Sequence, residues 1–191
     1  PNGETRAFAG TNDVAWSLDS GAGGAITVRN DGPGKLYLGA RFEGVSAEPE
    51  PERADGIAIR REFLDQAGNF IDARELPQGE LVVVRLKIDT KGRRLDQLAI
   101  EDLLPAGWEI ENQNLATSQQ FGWLREKNEG DLHREARDDR MLIFTGPIQG
   151  EAAFHYAVRA TTPGTYVLPS PTVSGMYEPE IRGVGVGGQV R

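Results

Sequence analysis

The 191-residue chain carries a formal net charge of −8, 38% hydrophobic residues and no cysteine. That apolar share supports one large core or two small ones and excludes disorder of the whole chain. Without cysteine there is no disulfide, thiolate nucleophile or Cys-based metal site, and the 21 Lys and Arg are spread instead of clustered, which excludes nucleic acid as an obvious partner.

No apolar run approaches the roughly 20 residues of a membrane helix. Direct membrane insertion by this stretch is therefore not expected, and any export address is expected outside it, since Pro1-Asn2-Gly3 has no signal-peptide character. In chain order, Ala25–Arg29, Leu36–Phe42 and Gly56–Phe63 alternate apolar and polar residues between Gly, Pro, Asn and Asp, the pattern of strands. Between them, Ser46–Gly56 alternates Glu with Pro, carries no large apolar residue and is predicted to run extended. A boundary falls there. Residues 1–50 then form a partial β segment with an acidic Pro/Glu linker, and residues 51–191 form a sandwich.

Downstream, strands are predicted at Leu81–Ile88, Leu98–Leu103, Trp108–Glu111, Met141–Phe144, Ala152–Thr161, Thr165–Leu168, Thr172–Met176 and Val184–Val190. The 24 Gly and 11 Pro sit mostly between these runs, as turns require. The run EDLLPAGWEIEN, Glu101–Asn112, reads as strand, turn, strand: Pro105 removes a donor, Gly107 tolerates the reversal, and Trp108 and Ile110 share a face opposite Glu109 and Glu111. Asn114–Lys127 departs from the β pattern. There Leu115, Gln119, Trp123 and Leu124 could share a helical face, although Gly122 weakens it, so helix and loop both stand. Gly183–Gly188 reads as a glycine-rich edge strand or tail, because no helix follows it to hold a phosphate. The fold class is all-β: an antiparallel sandwich, with or without one short helix, preceded by a partial β domain.

The densest polar run is HREARDDR, His133–Arg140. His133 with Asp138 or Asp139 could form a base and its orienter or a metal site. Strand alternation favours a structural charge network first and a partner contact second, with Asp138 and Asp139 as turn residues. His155, between Phe154 and Tyr156, reads as a strand side chain. There is no G-x-S-x-G elbow, and Glu109 and Glu111 lie on one sheet face, roughly 7 Å apart at two strand steps. Neither a serine hydrolase nor a glycoside hydrolase is supported, and no catalytic residue, cofactor site or metal site is assigned. The competing class is an adhesin or carbohydrate-binding sandwich, which would need Trp108, Trp123 or Tyr177 exposed as stacking platforms.

Four phrases then combine in order: GIAIRREF, LLPAGWEIENQNL (Leu103–Leu115), HREARDDR, and FHYAVRATTPGTYVLPSPTVSGMYEPE (Phe154–Glu180). Together they resemble the carboxy-terminal region of bacterial α2-macroglobulins, whose terminal domain is a macroglobulin-like sandwich. AITVRNDGPGKLYLGARFEG resembles the second half of the split CUB-like domain that precedes it. The resemblance implies a non-catalytic piece of a protease-trapping inhibitor that is periplasmic and anchored to the inner membrane as a lipoprotein. The implied partners are other domains of the same parent chain, target proteases reached through the parent, and other envelope proteins. His133, Arg137, Asp138, Asp139 and Arg140 match the family's RDDR region, and Met176, Tyr177, Pro179 and Glu180 its MYxPE region. Both are implied to be structural or docking elements. The thioester by which some members couple covalently needs a Cys that this chain lacks.

Overall fold

The computed structural model describes residues 7, 27–39, 50–111 and 131–191. The chain divides into two compact units, Pro1–Gly44 and Val45–Arg191. In the first, residues 27–39 are exposed and form no strand. The strands expected at Ala25–Arg29 and Leu36–Phe42 are thus not found in their described parts. Alternation supplies an apolar face, but a strand also needs a neighbour to take its N–H and C=O groups. Here the bonds close locally: the Asn30 side-chain amide donates to the Gly34 carbonyl at 2.7 Å, and its oxygen accepts from the Gly32 N–H at 3.1 Å, an Asx turn. The helix weighed for Asn114–Lys127 lies outside the described residues.

The second unit is built of antiparallel strands. A six-stranded sheet contains, in spatial order, β1 (Arg53–Asp55), β11 (Arg182–Val184), β10 (Thr172–Gly175), β4 (Leu98–Leu103), β7 (Arg140–Thr145) and β6 (Asp131–Ala136). A four-stranded sheet contains β2 (Ala58–Leu64), β3 (Leu81–Leu95), β8 (Ile148–Ala160) and β5 (Trp108–Ile110). A small two-stranded sheet pairs β12 (Gly188–Val190) with β9 (Tyr166–Leu168).

The two larger sheets bury one shared core, and period-two alternation decides which residues enter it. Ile59, Val84, Leu86, Ile88, Phe154 and Val158 come from the four-stranded sheet, and Leu98, Ile100, Met141, Ile143 and Val173 from the six-stranded one. Trp108 closes one end, 6% exposed and edge-on to Phe63 with ring centroids 5.6 Å apart. Ile110 packs against the same core while Glu109 is exposed, as the alternation predicts.

The EDLLPAGWEIEN stretch is strand, turn, strand as expected, and its two strands belong to different sheets, so the chain crosses the core edge between β4 and β5. The Trp108 N–H donates to the Pro105 carbonyl at 3.0 Å across this crossing. Gly107 is there for space: a Cβ would lie 2.3 Å from Tyr166 Cε2 and 2.7 Å from the Thr162 carbonyl. The expected strand Val184–Val190 is split between two sheets. Only Val184 falls in β11, and the Gly183–Val184 start of the glycine-rich run is interior and not an edge, because β1 from the Pro/Glu stretch pairs with it, while Gly188–Val190 forms β12. Finally, β3 runs on to Leu95 through a bulge over 90–93, in which Lys91 (φ 54°) and Gly92 (φ 78°) turn left-handed.

Candidate functional site

The strongest polar constellation is one that local sequence patterns did not single out. Arg61 on β2 and Tyr156 on β8 point inward from one sheet, and Asp102 on β4 points inward from the other. Arg61 Nη1 donates to Asp102 Oδ1 at 2.5 Å and Nη2 donates to the Pro169 carbonyl at 2.6 Å. The Tyr156 hydroxyl donates to Asp102 Oδ2 at 2.7 Å. Both carboxylate oxygens are therefore occupied by donors from the opposite sheet. Only 3% of the Arg61 side chain and none of Asp102 is exposed. Burial pushes the Asp102 carboxyl above the usual carboxylate range, opposed by the charge of Arg61 and by hydrogen bonds from Tyr156 and Arg61. Burial, reinforced by the Asp102 charge, also raises the Tyr156 phenol well above its ordinary value. The triad is a lock between sheets, sealed from solvent-borne substrates.

The signal for it was present in the phase of alternation. Arg61 shares the phase of Ile59 and Phe63, Asp102 that of Leu98 and Ile100, and Tyr156 that of Phe154 and Val158. A charged residue in the apolar phase of a strand demands a partner, because an unpaired buried charge is prohibitively costly.

The charged run His133–Arg140 forms β6 and a tight reversal into β7. The Arg137 N–H donates to the Arg140 carbonyl at 2.9 Å, with Asp138 and Asp139 at the exposed tip. Arg140 donates from Nε and Nη2 to the two Asp139 oxygens at 3.0 and 2.6 Å and from Nη1 to Glu101 on β4 at 2.5 Å. Hydrogen bonds from Arg140 hold the Asp139 carboxyl below the usual range. Arg137 Nε donates to Glu135 at 2.9 Å, and the His133 ring stacks on Phe144 at 6.0 Å. His133 is thus placed against an aromatic ring, and the Arg side chains carry the pairing. Among the described residues no group of three or more His, Cys, Asp or Glu is placed to hold a metal.

Met176, Tyr177, Pro179 and Glu180 form the turn between β10 and β11. The Met176 N–H donates to the Gln97 carbonyl at 3.0 Å, the Gly175 N–H to Ile181 O at 3.0 Å, and the Ile181 N–H to Glu178 O at 2.9 Å. The backbone is tied at three points, yet Tyr177 is 77% and Met176 48% exposed. Gly175 lets the turn close this tightly, since a Cβ there would lie 2.8 Å from the Glu178 carbonyl. The two predicted clusters are not brought together. Leu103 pairs with Arg140 and Leu98 with Gly175, so the turns cap opposite ends of β4. Of the proposed stacking aromatics, Trp108 is buried, Trp123 lies outside the described residues, and only Tyr177 is presented to solvent.

Two antiparallel sheets closed by a buried triad define a macroglobulin-like β-sandwich domain. Residues 56–180 match the family of the bacterial α2-macroglobulin MG10 domain. The α2-macroglobulin of Xylella fastidiosa is 33% identical over 93% of this chain and 12% of its own length, and that of Escherichia coli K12 is 33% identical over 84% and 10%. Among solved structures, Salmonella α2-macroglobulin reacted with methylamine is similar with a TM-score of 0.67 and 32% identity, covering 77% of this chain and 10% of that one. Native E. coli α2-macroglobulin from domain MG7 to the C-terminus gives a TM-score of 0.66 and 30% identity, covering 75% of this chain and 25% of that one. The chain belongs to the bacterial α2-macroglobulin family, and it spans about a tenth of the length of the curated relatives it matches.

Proposed function

We propose that this chain serves as a non-catalytic domain of a protease-trapping inhibitor and acts by docking against other domains of the same parent chain. The observation that carries this reading is the Met176–Glu180 turn, whose backbone is pinned while Tyr177 stands 77% exposed. An aromatic side chain held out on a rigid turn binds with little ordering cost, which is what a docking contact requires. The family match supports the trapping role, and one solved relative is an E. coli α2-macroglobulin activated by porcine elastase. In this reading the parent encloses a protease after being cut, and the sandwich holds neighbouring domains in register. The cell compartment proposed for the parent is the periplasm, with a lipoprotein anchor on the inner membrane.

The test compares the parent protein with its Tyr177→Ala variant. Trapped protease should lose activity on a large protein substrate while keeping it on a small peptide. The variant is expected to trap less, with an unchanged melting temperature of the isolated chain. The isolated chain itself should neither inhibit nor cleave protease. Metal-dependent hydrolysis by the purified chain, or full trapping by the Tyr177→Ala parent, would overturn the reading.

A further inference from the structure

The strand β1 is built differently from the rest of the sandwich. Arg53 and Ala54 are exposed and Asp55 is half-buried, so β1 brings no large apolar side chain to the core. It is held by three register pairs with β11 continued by a Gly56–Arg182 bridge, an ion pair from Arg182 to Glu50 at 3.2 Å, the Ser170 hydroxyl donating to the Glu50 carbonyl at 3.0 Å, and Lys91 Nζ donating to the Ala54 carbonyl at a long 3.4 Å. The Arg182 and Glu50 side chains are 43% and 45% exposed, and pairs that open to water contribute little. Beside Glu52 lies a cleft of about 310 Å³ that is also lined by Arg60, Arg61, Glu62 and Val186. The strand that β1 pairs with is well buried: Val184 is fully enclosed, and Gly183 packs so closely on the segment after β1 that a Cβ there would meet the Ile57 carbonyl at 2.7 Å.

The cleft ends beside the cross-sheet lock, whose Arg61 side chain is itself only 3% exposed. Arg61 lines it, and Arg61 is capped by the carbonyl of Pro169, the residue preceding the Ser170 that holds Glu50. We propose that Glu50–Asp55 is a releasable strap over the Arg61 end of the triad, the first part of the sandwich to open. Because β1 is the first described strand of the second unit, a pull along the backbone from its N-terminal side arrives at the strap before any other described strand. Release strips one edge of β11 and admits water toward Arg61, while β2, β3, β4, β7 and β8 stay packed. The inference does not depend on the protease-trapping reading, since it concerns how this chain opens by itself.

Native-state amide hydrogen exchange on the whole 191-residue chain tests it. Amides of Glu50 and Glu52–Asp55 are expected to exchange about a hundredfold faster than those of Leu81–Ile88, as for a local opening set against a core strand. The Ser170 amide should follow the strap. Because Asp55 and Arg182 are direct antiparallel partners, a D55C/R182C disulfide fits this spacing, and the chain has no other cysteine to confuse it. Oxidation should slow exchange in residues 50–55 about tenfold or more relative to the reduced form, which keeps the strap's own exchange as the measure. Strap amides as protected as Leu81–Ile88 in the native chain, or unchanged by the crosslink, would overturn the proposal. A Ser170 amide indifferent to the crosslink would refute the part that joins strap to triad.

Discussion

Arg61 and Asp102 meet at 2.5 Å across the interface of two sheets, 41 residues apart in sequence, with essentially no water at either side chain. Such a pair is asymmetric in its energetics. Removing one partner leaves the other charged and buried, so Arg61→Met or Asp102→Ala is expected to cost about 3–5 kcal/mol. Replacing the whole triad, as Arg61→Met with Asp102→Leu and Tyr156→Phe, should be far less damaging and near neutral, because no orphaned charge remains. Chemical denaturation of the three proteins checks this, and a triple variant no more stable than the singles would contradict it.

Strand phase in β5 is checked by adjacent residues. Trp108 is buried against Phe63 and Glu109 is exposed. Trp108→Ala should cost on the order of 3–5 kcal/mol and Glu109→Ala less than about 0.5 kcal/mol. Equal losses in thermal or denaturant unfolding would mean the register is wrong.

The crossing between β4 and β5 depends on an absent side chain. Gly107→Ala sets a methyl against the Tyr166 ring and the Thr162 carbonyl, and one of these neighbours has to move. The expected cost is about 1–3 kcal/mol by overpacking. Adding Tyr166→Ala removes the ring but not the carbonyl, so the double variant should show a coupling in a mutant cycle. Strict additivity of the two would argue that the ring is not the obstacle.

Acid stability carries a specific signature from Asp72. Hydrogen bonds from the Arg74 guanidinium and backbone N–H hold its carboxyl down to about 2. A carboxyl depressed in the folded state contributes stability above its unfolded value of 3.8, and that contribution disappears as pH falls through about 2. Carboxyl titration by NMR should place the Asp72 midpoint near 2, and Arg74→Gln should bring it back toward the ordinary range. A midpoint unmoved by Arg74→Gln would show that the pairing is not what lowers it.

What the sequence disclosed follows from where the information lies. β2, β3, β4, β7 and β8 are long enough for apolar alternation to declare them, and Asp138 and Asp139 are turn residues by chemistry. The triad was hidden because its three members lie on three strands, and alternation reports only which face a residue takes, not what it meets there. Arg61 and Asp102 stand in the apolar phase of their strands, which is a legible anomaly, but the 41-residue gap conceals the match. β1 was missed because Arg53–Asp55 has no apolar phase at all and exists through pairing with β11. Thr27–Gly39 shows the converse: a good local pattern with no ladder among its described residues.

The RDDR reversal and the Met176–Glu180 turn hang from opposite ends of β4, a strand of six residues whose ends lie about 17 Å apart at 3.4 Å per step. In the proposed docking reading, contacts at the two turns would fall at opposite ends of one interior strand, and the length of β4 would set the spacing between them.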